Sequence, residues 1–145
     1  MIKITYPEQK PSIKGEGGKD VIFCMIRKRW VLLTPEEWVR QNFLLWLTES
    51  LFYPASLIAV EKQLLLGDLK KRFDIVVYNN NAKAFMLVEC KEMNVPLSEN
   101  VLRQALRYNT MLQADWLVIT NGSNCVAFKK DGDHFQPAEQ IPSFK

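Results

Sequence analysis

The most regular alternation of apolar and polar residues lies in the middle of the chain. Two apolar runs, Phe73 to Tyr78 and Lys83 to Lys91, are joined by a short stretch rich in asparagine. Short apolar runs that flank turn-forming residues are typical of a β-hairpin. Because successive side chains of a strand point to opposite faces, Leu87, Glu89 and Lys91 share one face of the predicted hairpin.

The face on which Asp74 lies depends on the turn between the two strands. A loop of four residues, 79–82, places Asp74 opposite Leu87, and directly opposed residues share a face. Asp74 then joins Glu89 and Lys91, with the backbones of the two acids roughly 7–8 Å apart. A loop one residue shorter or longer would move Asp74 to the other face.

Two carboxylates held close together destabilise each other's ionised form. A divalent cation removes this conflict, and Mg²⁺ is commonly bound through one or two carboxylates plus substrate phosphates. Such a metal activates water and neutralises charge that develops on a phosphodiester. The pattern therefore predicts a Mg²⁺ or Mn²⁺ site formed by Asp74, Glu89 and the main-chain carbonyl of Cys90. Lys91 would orient the attacking water or hold the phosphate.

A simpler interpretation of these residues is a charged cluster on an edge strand, in which Glu89 and Lys91 pair in solvent. Surface ion pairs of this kind need no function. Both interpretations stay open for this pattern alone. If the acids form a metal site, removing either Asp74 or Glu89 should cost little stability, because two unliganded like charges repel each other.

Two helices are predicted, one before the hairpin and one after it. Thr34 suits the N-cap of the first helix, Pro35 its first turn, and Glu37 a capping box. Apolar residues cover most of this helix as far as Leu51, so we expect it to be largely buried. Glu37 has two interpretations, as an acid of the predicted site or as a cap of its own helix.

The second helix is predicted from about Glu99 to Gln113. Gln104 and Tyr108 lie four residues apart and therefore share a face of this helix. Arg103 and Arg107 form a second pair with the same spacing. An ordinary helix with polar residues at its edges would show the same pattern.

Basic residues accompany the predicted metal site. Lys70, Lys71 and Arg72 run directly into Asp74. Together with the two arginines of the second helix, they are expected to make sequence-independent contacts with DNA phosphates. The alternative is that they protect an edge strand against aggregation. The chain carries 19 basic and 16 acidic residues, and its net charge of +3 permits a polyanionic partner without requiring one.

The remaining pattern predicts a mixed sheet. Further strands are expected at residues 21–26, 57–66, 116–120 and 125–129. Combined with the hairpin and the two helices, this order predicts an α/β fold with a mixed central β-sheet flanked by helices. We expect residues 1–145 to form a single domain, with an extended segment over 1–19, a core over about 20–130 and a tail over 131–145.

The cysteines and the hydropathy of the chain bear on the cellular compartment of the protein. The three cysteines are isolated from one another, which indicates neither a zinc site nor a disulfide framework. Reduced thiols and the lack of a signal peptide or a run of membrane length predict a cytoplasmic protein without a membrane partner. His134 is the only histidine, and we expect it to be solvated in the tail rather than catalytic.

The order of these elements resembles a known family. The matching stretches are LTPEEWVRQ (33–41), AVEKQL (59–64), KKRFDIVVY (70–78), LVECK (87–91), QALRY (104–108) and ITNG (119–122). Asp74 followed by Glu89, Cys90 and Lys91 is similar to the core of the PD-(D/E)XK nucleases. The wider stretch resembles the N-terminal nuclease domain of type I restriction enzyme R subunits. Phe73 stands where the family name has proline.

This resemblance implies a restriction-endonuclease-like core that hydrolyses DNA with Mg²⁺ or Mn²⁺. It implies catalytic roles for Asp74, Glu89 and Lys91, and it matches Glu37 to an acid of the first helix that approaches the metal. The glutamine and tyrosine of the second helix would border the same cleft. Both helices are therefore expected to pack on the sheet face that carries Asp74.

The resemblance also implies partners. These are DNA and separate motor or restriction–modification subunits, since the R subunit carries a helicase motor and these 145 residues contain none. A catalytically idle domain of the same fold, which binds nucleic acid or a protein partner, is the alternative function.

Overall fold

A computed structural model describes residues 1–145 without a gap. The two main helices are α1, Pro35–Leu45, and α2, Glu99–Leu112. A π-helical turn, Trp46–Ser50, and a 3₁₀ turn, Ala55–Leu57, follow α1. The strands are β1 Ile2–Lys3, β2 Ile13–Glu16, β3 Lys19–Cys24, β4 Arg29–Leu32, β5 Ile58–Leu66, β6 Leu69–Tyr78, β7 Ala84–Cys90, β8 Trp116–Thr120, β9 Asn124–Asp131 and β10 His134–Ala138.

The central sheet has seven strands in the order β1-β9-β8-β7-β6-β5, with β10 paired to β9. Strands β7 and β8 are parallel, and the other pairs are antiparallel. The predicted α/β fold with a mixed sheet is thus confirmed. Strand β7 lies inside the sheet, so Glu89 near its end is flanked by strands on both sides and is not on an edge strand.

The start of α1 follows from its sequence. The Thr34 hydroxyl oxygen accepts a hydrogen bond from the Glu37 main-chain N–H at 3.0 Å, and Pro35 occupies the first turn. The predicted N-cap is confirmed, whereas the Glu37 carboxylate binds arginines and does not close a capping box. The α-helix ends at Leu45, because the chain continues as a π-helical turn where further α-helix was predicted.

The two helices cover opposite faces of the sheet. Along β8, Trp116 and Val118 pack into the cluster that contains α1, while Leu117 and Ile119 pack into the cluster under α2. The prediction that both helices lie on the face of Asp74 is therefore wrong. A central sheet has two apolar faces, and each face needs its own helix to be removed from water.

Strand pairing at the two ends of the chain differs from the prediction. Residues 13–32 form a separate three-stranded antiparallel sheet, β2-β3-β4, where a loop followed by a single strand was expected. The tail contains β10, in which His134 is exposed as expected. These short strands are mostly exposed, so they lack the apolar alternation that identifies a strand. Neither α1 nor α2 has the length and hydropathy of a membrane-spanning helix.

Candidate active site

The hairpin of β6 and β7 has a different register from the predicted one. Ile75 lies opposite Val88, so the next pair along the strands is Asp74 and Glu89. Asp74 does not lie opposite Leu87, and that prediction is wrong. The two acids are direct neighbours across the strands rather than diagonal ones.

Two irregularities produce this register. Tyr78 pairs with Ala84, so the loop holds five residues rather than four. The Asn79 side chain braces that loop by accepting two main-chain N–H bonds, at 2.9 and 3.0 Å. A shift in pairing follows, and Phe85 and Met86 both pack on the α1 side. The longer loop and the bulge together move the register by two residues. A shift of two residues leaves each side chain on the same face of the sheet.

Strict alternation also fails in β6 next to Asp74. Phe73 packs under α2, whereas Ile75, two residues later, packs under α1. On the neighbouring strand β5, Glu61 has a left-handed backbone with φ of 56°. Glu61 lies between the two β5 residues that pair with Ile75 and with Phe73. The register of β5 and β6 is the same on both sides of Glu61, so the ladder is interrupted opposite Asp74 without an inserted residue. Asp74 therefore lies at a break in the pleat, between the two faces.

Asp74 is held through both carboxylate oxygens. Its Oδ1 accepts a hydrogen bond from the Arg40 guanidinium of α1 at 2.9 Å, and its Oδ2 accepts one from the Cys90 main-chain N–H at 2.7 Å. Glu89 lies on the α2 side, with its Oε2 3.8 Å from the Lys71 ammonium. The negative charge of Asp74 acts directly on Glu89, so the two carboxylates lie close to each other at the strand ends.

Glu89 is buried and incompletely paired. Only 7% of its surface is exposed, and its Oε1 has no hydrogen-bond partner. Burial, and then the negative charge of Asp74, raise the pKa of Glu89 to about 7, although Lys71 and Lys91 act in the opposite direction. A buried carboxylate that titrates near neutrality can take up either a proton or a cation.

The stability of the metal-free protein should fall as the pH rises through the titration of Glu89. The pKa of Glu89 is raised from 4.5 to about 7, so between these values the folded state holds a proton that the unfolded state has lost. This contribution is complete below about pH 4.5 and is lost as the pH rises through 7. We expect urea titrations in EDTA to show a decrease in the free energy of unfolding of up to about 3 kcal/mol between pH 5 and pH 8.

Glu89→Gln provides the control for this pH dependence. Glutamine keeps the shape of the side chain but does not titrate, so the unfolding free energy of the variant should change much less over the same range. An equally steep decrease in the variant would show that other groups cause the effect.

A small cleft adjoins Glu89 on the α2 side. Its volume is about 90 Å³, and Glu89, Lys71, Lys91, Gln104 and Tyr108 line it. The Lys71 ammonium lies 4.8 Å from the centre of the Tyr108 ring, a cation–π distance. The Lys91 ammonium has no ion-pair partner in the chain, so it is available to a ligand.

A larger cavity lies elsewhere. Its volume is about 670 Å³, and its lining includes Tyr53, Trp116 and Phe144 but only one carboxylate, Asp115, besides the chain terminus. Metal-assisted hydrolysis of a phosphodiester needs carboxylates placed together as metal ligands. We therefore assign the chemistry to the smaller cleft beside Glu89, despite the difference in size.

Arg27 and Arg40 form a closed ring of ion pairs with Glu37 and Glu61. Arg27 bonds these two carboxylates at 3.0 and 3.3 Å, and Arg40 bonds them at 3.0 and 3.2 Å. Arg40 is 4% exposed; its second terminal nitrogen donates to Asp74, while its buried Nε has no hydrogen-bond partner. Burial opposes the charge of Arg40, but Asp74 and Glu37 outweigh burial and raise the pKa of Arg40 above its ordinary value. Arg40 thus connects the ring to the pair of acids.

The first helix presents two acids to this region in different ways. Glu37 is enclosed by Arg27 and Arg40, so an arginine separates it from Asp74. Glu36 is more exposed, and burial followed by the charge of Asp74 raises its pKa, while Lys91 also acts on it. Glu36 is therefore the acid of α1 that faces the Asp74 and Lys91 side.

The role of Arg40 was not predicted from the sequence. The spacing of Arg40 predicts only an ion pair with Glu37, one helical turn away. Arg27 begins a basic run, 27–29, that is typical of either a phosphate-contacting patch or a solvated turn. Both guanidiniums are in fact largely buried among carboxylates. An arginine in the middle of a strongly apolar helix is the signal that could have predicted this, since buried charges require partners.

The predicted phosphate contacts are distributed around this site. Lys70 and Arg72 are exposed on β6, on the opposite side of the strand from Lys71. Arg103 and Arg107 are exposed on α2, and Arg103 makes only a 4.0 Å ion pair with Glu99. The other three exposed residues, Lys70, Arg72 and Arg107, form no ion pair within the chain.

The residues present are compatible with a hard divalent cation. No group of three or more His, Cys, Asp or Glu side chains is arranged to hold a metal, so the two acids would need oxygen ligands from the main chain, water or substrate. The unpaired Oε1 of Glu89 can accept a cation, and each oxygen of Asp74 retains a lone pair. The Cys90 side chain is buried under α1, which leaves only its carbonyl as a donor.

Residues 35–142 match the family described as the type I restriction enzyme R protein N terminus. The matched range includes α1, both strands of the acidic hairpin and α2. The chain belongs to this family. The resemblance stated from the motifs is thus confirmed. No curated protein matches this R-protein N-terminal domain.

A solved structure is similar to the R-protein N-terminal domain in fold. It is a fragment assigned as an HsdR subunit of a type I restriction enzyme from Vibrio vulnificus, with a TM-score of 0.56 and 18% sequence identity. The alignment covers 77% of the R-protein N-terminal domain and 24% of that chain. The aligned part therefore spans about a quarter of the chain in that fragment structure.

Proposed function

We propose that this R-protein N-terminal domain is a metal-dependent nuclease that hydrolyses DNA phosphodiester bonds. The observation that carries the proposal is the unpaired, buried Oε1 of Glu89 beside Asp74. A fold gains nothing from two adjacent carboxylates of which one lacks a partner, whereas a cation would satisfy both. Family membership supports the same conclusion.

Mg²⁺ or Mn²⁺ would be held by Asp74, Glu89 and the Cys90 carbonyl. When bound, the metal would supply activation of water and neutralisation of the developing phosphate charge. Arg40 positions Asp74 by donating to one carboxylate oxygen while the Cys90 main-chain N–H donates to the other, and each oxygen keeps a lone pair for a metal. The unpaired ammonium of Lys91 would contact the attacking water or the phosphate.

The remaining cleft residues would bind the substrate. Lys71 lies between Glu89 and the Tyr108 ring, where it can meet a phosphate that enters the cleft. Gln104 is exposed at the same opening and can donate or accept a hydrogen bond. DNA, and motor or restriction–modification subunits, would be the partners of such a domain.

Cleavage of supercoiled plasmid and single-stranded DNA, with Mg²⁺, Mn²⁺ or EDTA, tests the proposal. Activity is expected with metal only, and it should be absent from Asp74→Ala purified in parallel. Equal activity in both proteins would identify a contaminant. Lack of cleavage by the wild type, together with no metal binding in calorimetry, would favour the idle DNA- or protein-binding domain instead.

We expect the arginines of α2 to contribute to the salt dependence of DNA affinity, measured in EDTA. Arg103→Gln combined with Arg107→Gln should weaken binding and reduce the slope of log K against log salt by up to about 0.9 for each lost phosphate contact. Electrophoretic or anisotropy titrations at several salt concentrations measure the slope. Lys83→Gln is the matched control, because Lys83 is exposed in the loop at the far end of the hairpin. An unchanged slope in the double variant would exclude α2 from the DNA interface.

A further inference from the structure

Residues 62–73 form a two-stranded ribbon that extends beyond the central sheet, and we call it the β5–β6 ribbon. Within β6, residues 75–78 pair with β7, whereas residues 69–73 pair with β5 alone. Strand β5 is the edge of the sheet, so the ribbon has no third strand. Its turn is made at Gly67, whose φ of 60° favours glycine.

The tip of the β5–β6 ribbon is apolar and exposed. The exposed fractions are 64% for Leu65, 60% for Leu66 and 44% for Leu69. These leucines contribute little to the core, and contiguous exposed apolar residues mark interaction sites. The turn between these leucines carries one charged residue, Asp68, beside Gly67.

The charges of the β5–β6 ribbon indicate a polyanionic partner. It holds four basic residues, Lys62, Lys70, Lys71 and Arg72, and a single acid, Asp68. Its net charge of +3 equals that of the entire chain. The leucines at the turn and the basic residues along the strands suit a ligand with anionic groups flanking apolar ones. A groove of duplex DNA has this arrangement, with phosphates at its borders and base edges at its floor.

The pairing of the two strands assigns these residues to faces. Leu66 pairs with Leu69, and Leu64 with Lys71, which contacts Glu89. Directly opposed residues share a face, so this side of the ribbon leads from the leucine tip to the cleft of the candidate site. The opposite side carries Leu65 paired with Lys70, and Gln63 paired with Arg72.

We propose that the β5–β6 ribbon inserts into the major groove of duplex DNA, with its leucines against base edges and its basic residues on the flanking phosphates. This inference rests on the proposed function and names how the same site holds its substrate. The major groove, about 12 Å wide, admits a two-stranded ribbon whose strands lie about 4.8 Å apart. From Leu69 to Asp74 the strand covers roughly 17 Å, or about five base pairs.

The thymine methyl group provides a specific probe, because it lies in the major groove and accepts apolar contacts. Binding would be measured in EDTA with two duplexes of one A·T-rich sequence, one containing thymine and the other deoxyuridine. The wild type should bind the thymine duplex about threefold more tightly. Leu66→Ser combined with Leu69→Ser should weaken binding to the thymine duplex by about tenfold and abolish the difference between the duplexes, with an unchanged salt slope.

The matched control is Ile13→Ser combined with Leu32→Ser. It removes the same number of exposed apolar side chains from the separate three-stranded sheet, and it should bind both duplexes like the wild type. Circular dichroism of both double variants checks that folding is retained. A second variant, Leu66→Met with Leu69→Met, keeps an apolar tip and should retain tight binding.

Several results would overturn the inference. Unchanged DNA binding by the serine variant would do so, as would a serine variant whose only defect is in self-association by sedimentation or in binding to anionic vesicles. Failure of the ribbon and failure of the nuclease proposal remain distinguishable. If the wild type binds DNA with the thymine preference but never cleaves it, only the nuclease proposal is excluded. If the wild type cleaves DNA and the serine variant binds both duplexes like the wild type, only the ribbon proposal is excluded.

Discussion

Glu89→Gln is expected to reduce DNA cleavage by at least about a thousandfold while making the metal-free protein more stable at pH 8. The loss of activity follows because the variant lacks one of two anionic ligands, and a metal in such a site contributes several kcal/mol of charge stabilisation in the transition state. The gain in stability follows because an ionised Glu89 has one buried oxygen without a partner and faces Asp74.

Asp74→Asn should lose activity to a similar extent but with the opposite effect on stability. The carboxylate of Asp74 accepts bonds from Arg40 and from the Cys90 main chain, so its removal leaves Arg40 with less compensating charge. The structure thus revises the expectation that either acid could be removed at little cost. That expectation treated both as unliganded, whereas Asp74 has an internal cation and Glu89 does not.

Cleavage rates and urea titrations of the two variants, made side by side, measure this contrast. DNA binding in EDTA should be retained by both, since neither change removes a positive charge. Retained cleavage in Glu89→Gln would contradict its role as a metal ligand. A Glu89→Gln protein that is less stable than the wild type would contradict the proposed strain of the buried acid.

Arg40→Met is expected to destabilise the fold by about 3–5 kcal/mol, the largest loss of stability predicted for a single change in this chain. The side chain of Arg40 is buried and balances carboxylates at 2.9 to 3.2 Å, those of Asp74, Glu37 and Glu61. Methionine fills a similar volume but leaves Glu37 and Glu61 with Arg27 as their only close cation, and Asp74 with none. Uncompensated buried charge costs more than a lost surface ion pair, which contributes about 1 kcal/mol or less.

Denaturant titrations of Arg40→Met and of Arg103→Met test this expectation. Arg103 is the matched control, because it is exposed and its ion pair with Glu99 spans 4.0 Å. Its substitution should change the free energy of unfolding by under about 1 kcal/mol. Arg40→Lys should fall between the two, since an ammonium keeps the charge but cannot bridge three carboxylates. Equal effects at the two positions would show that the ring contributes little.

The elements that carry the proposed chemistry were predictable from local sequence. The acidic hairpin, the N-cap at Thr34 and the helix after Ser98 each depend on residues within a few positions of one another. Strand β8 and the mixed α/β order were predictable for the same reason, since alternation and capping are short-range signals. The order of these motifs along the chain was also sufficient to indicate the R-protein family.

The arrangement of the site required tertiary structure, because it depends on non-local pairing. A five-residue loop and a bulge each shift the register by one residue, and together they set Asp74 opposite Glu89 in a way that no local pattern reveals. The burial that raises the pKa of Glu89 comes from α2, which lies on the other face of the sheet from α1. Local sequence therefore specified which acids are present, whereas packing from both faces of the sheet specified that Asp74 is bound by Arg40 and that Glu89 keeps an unpaired oxygen.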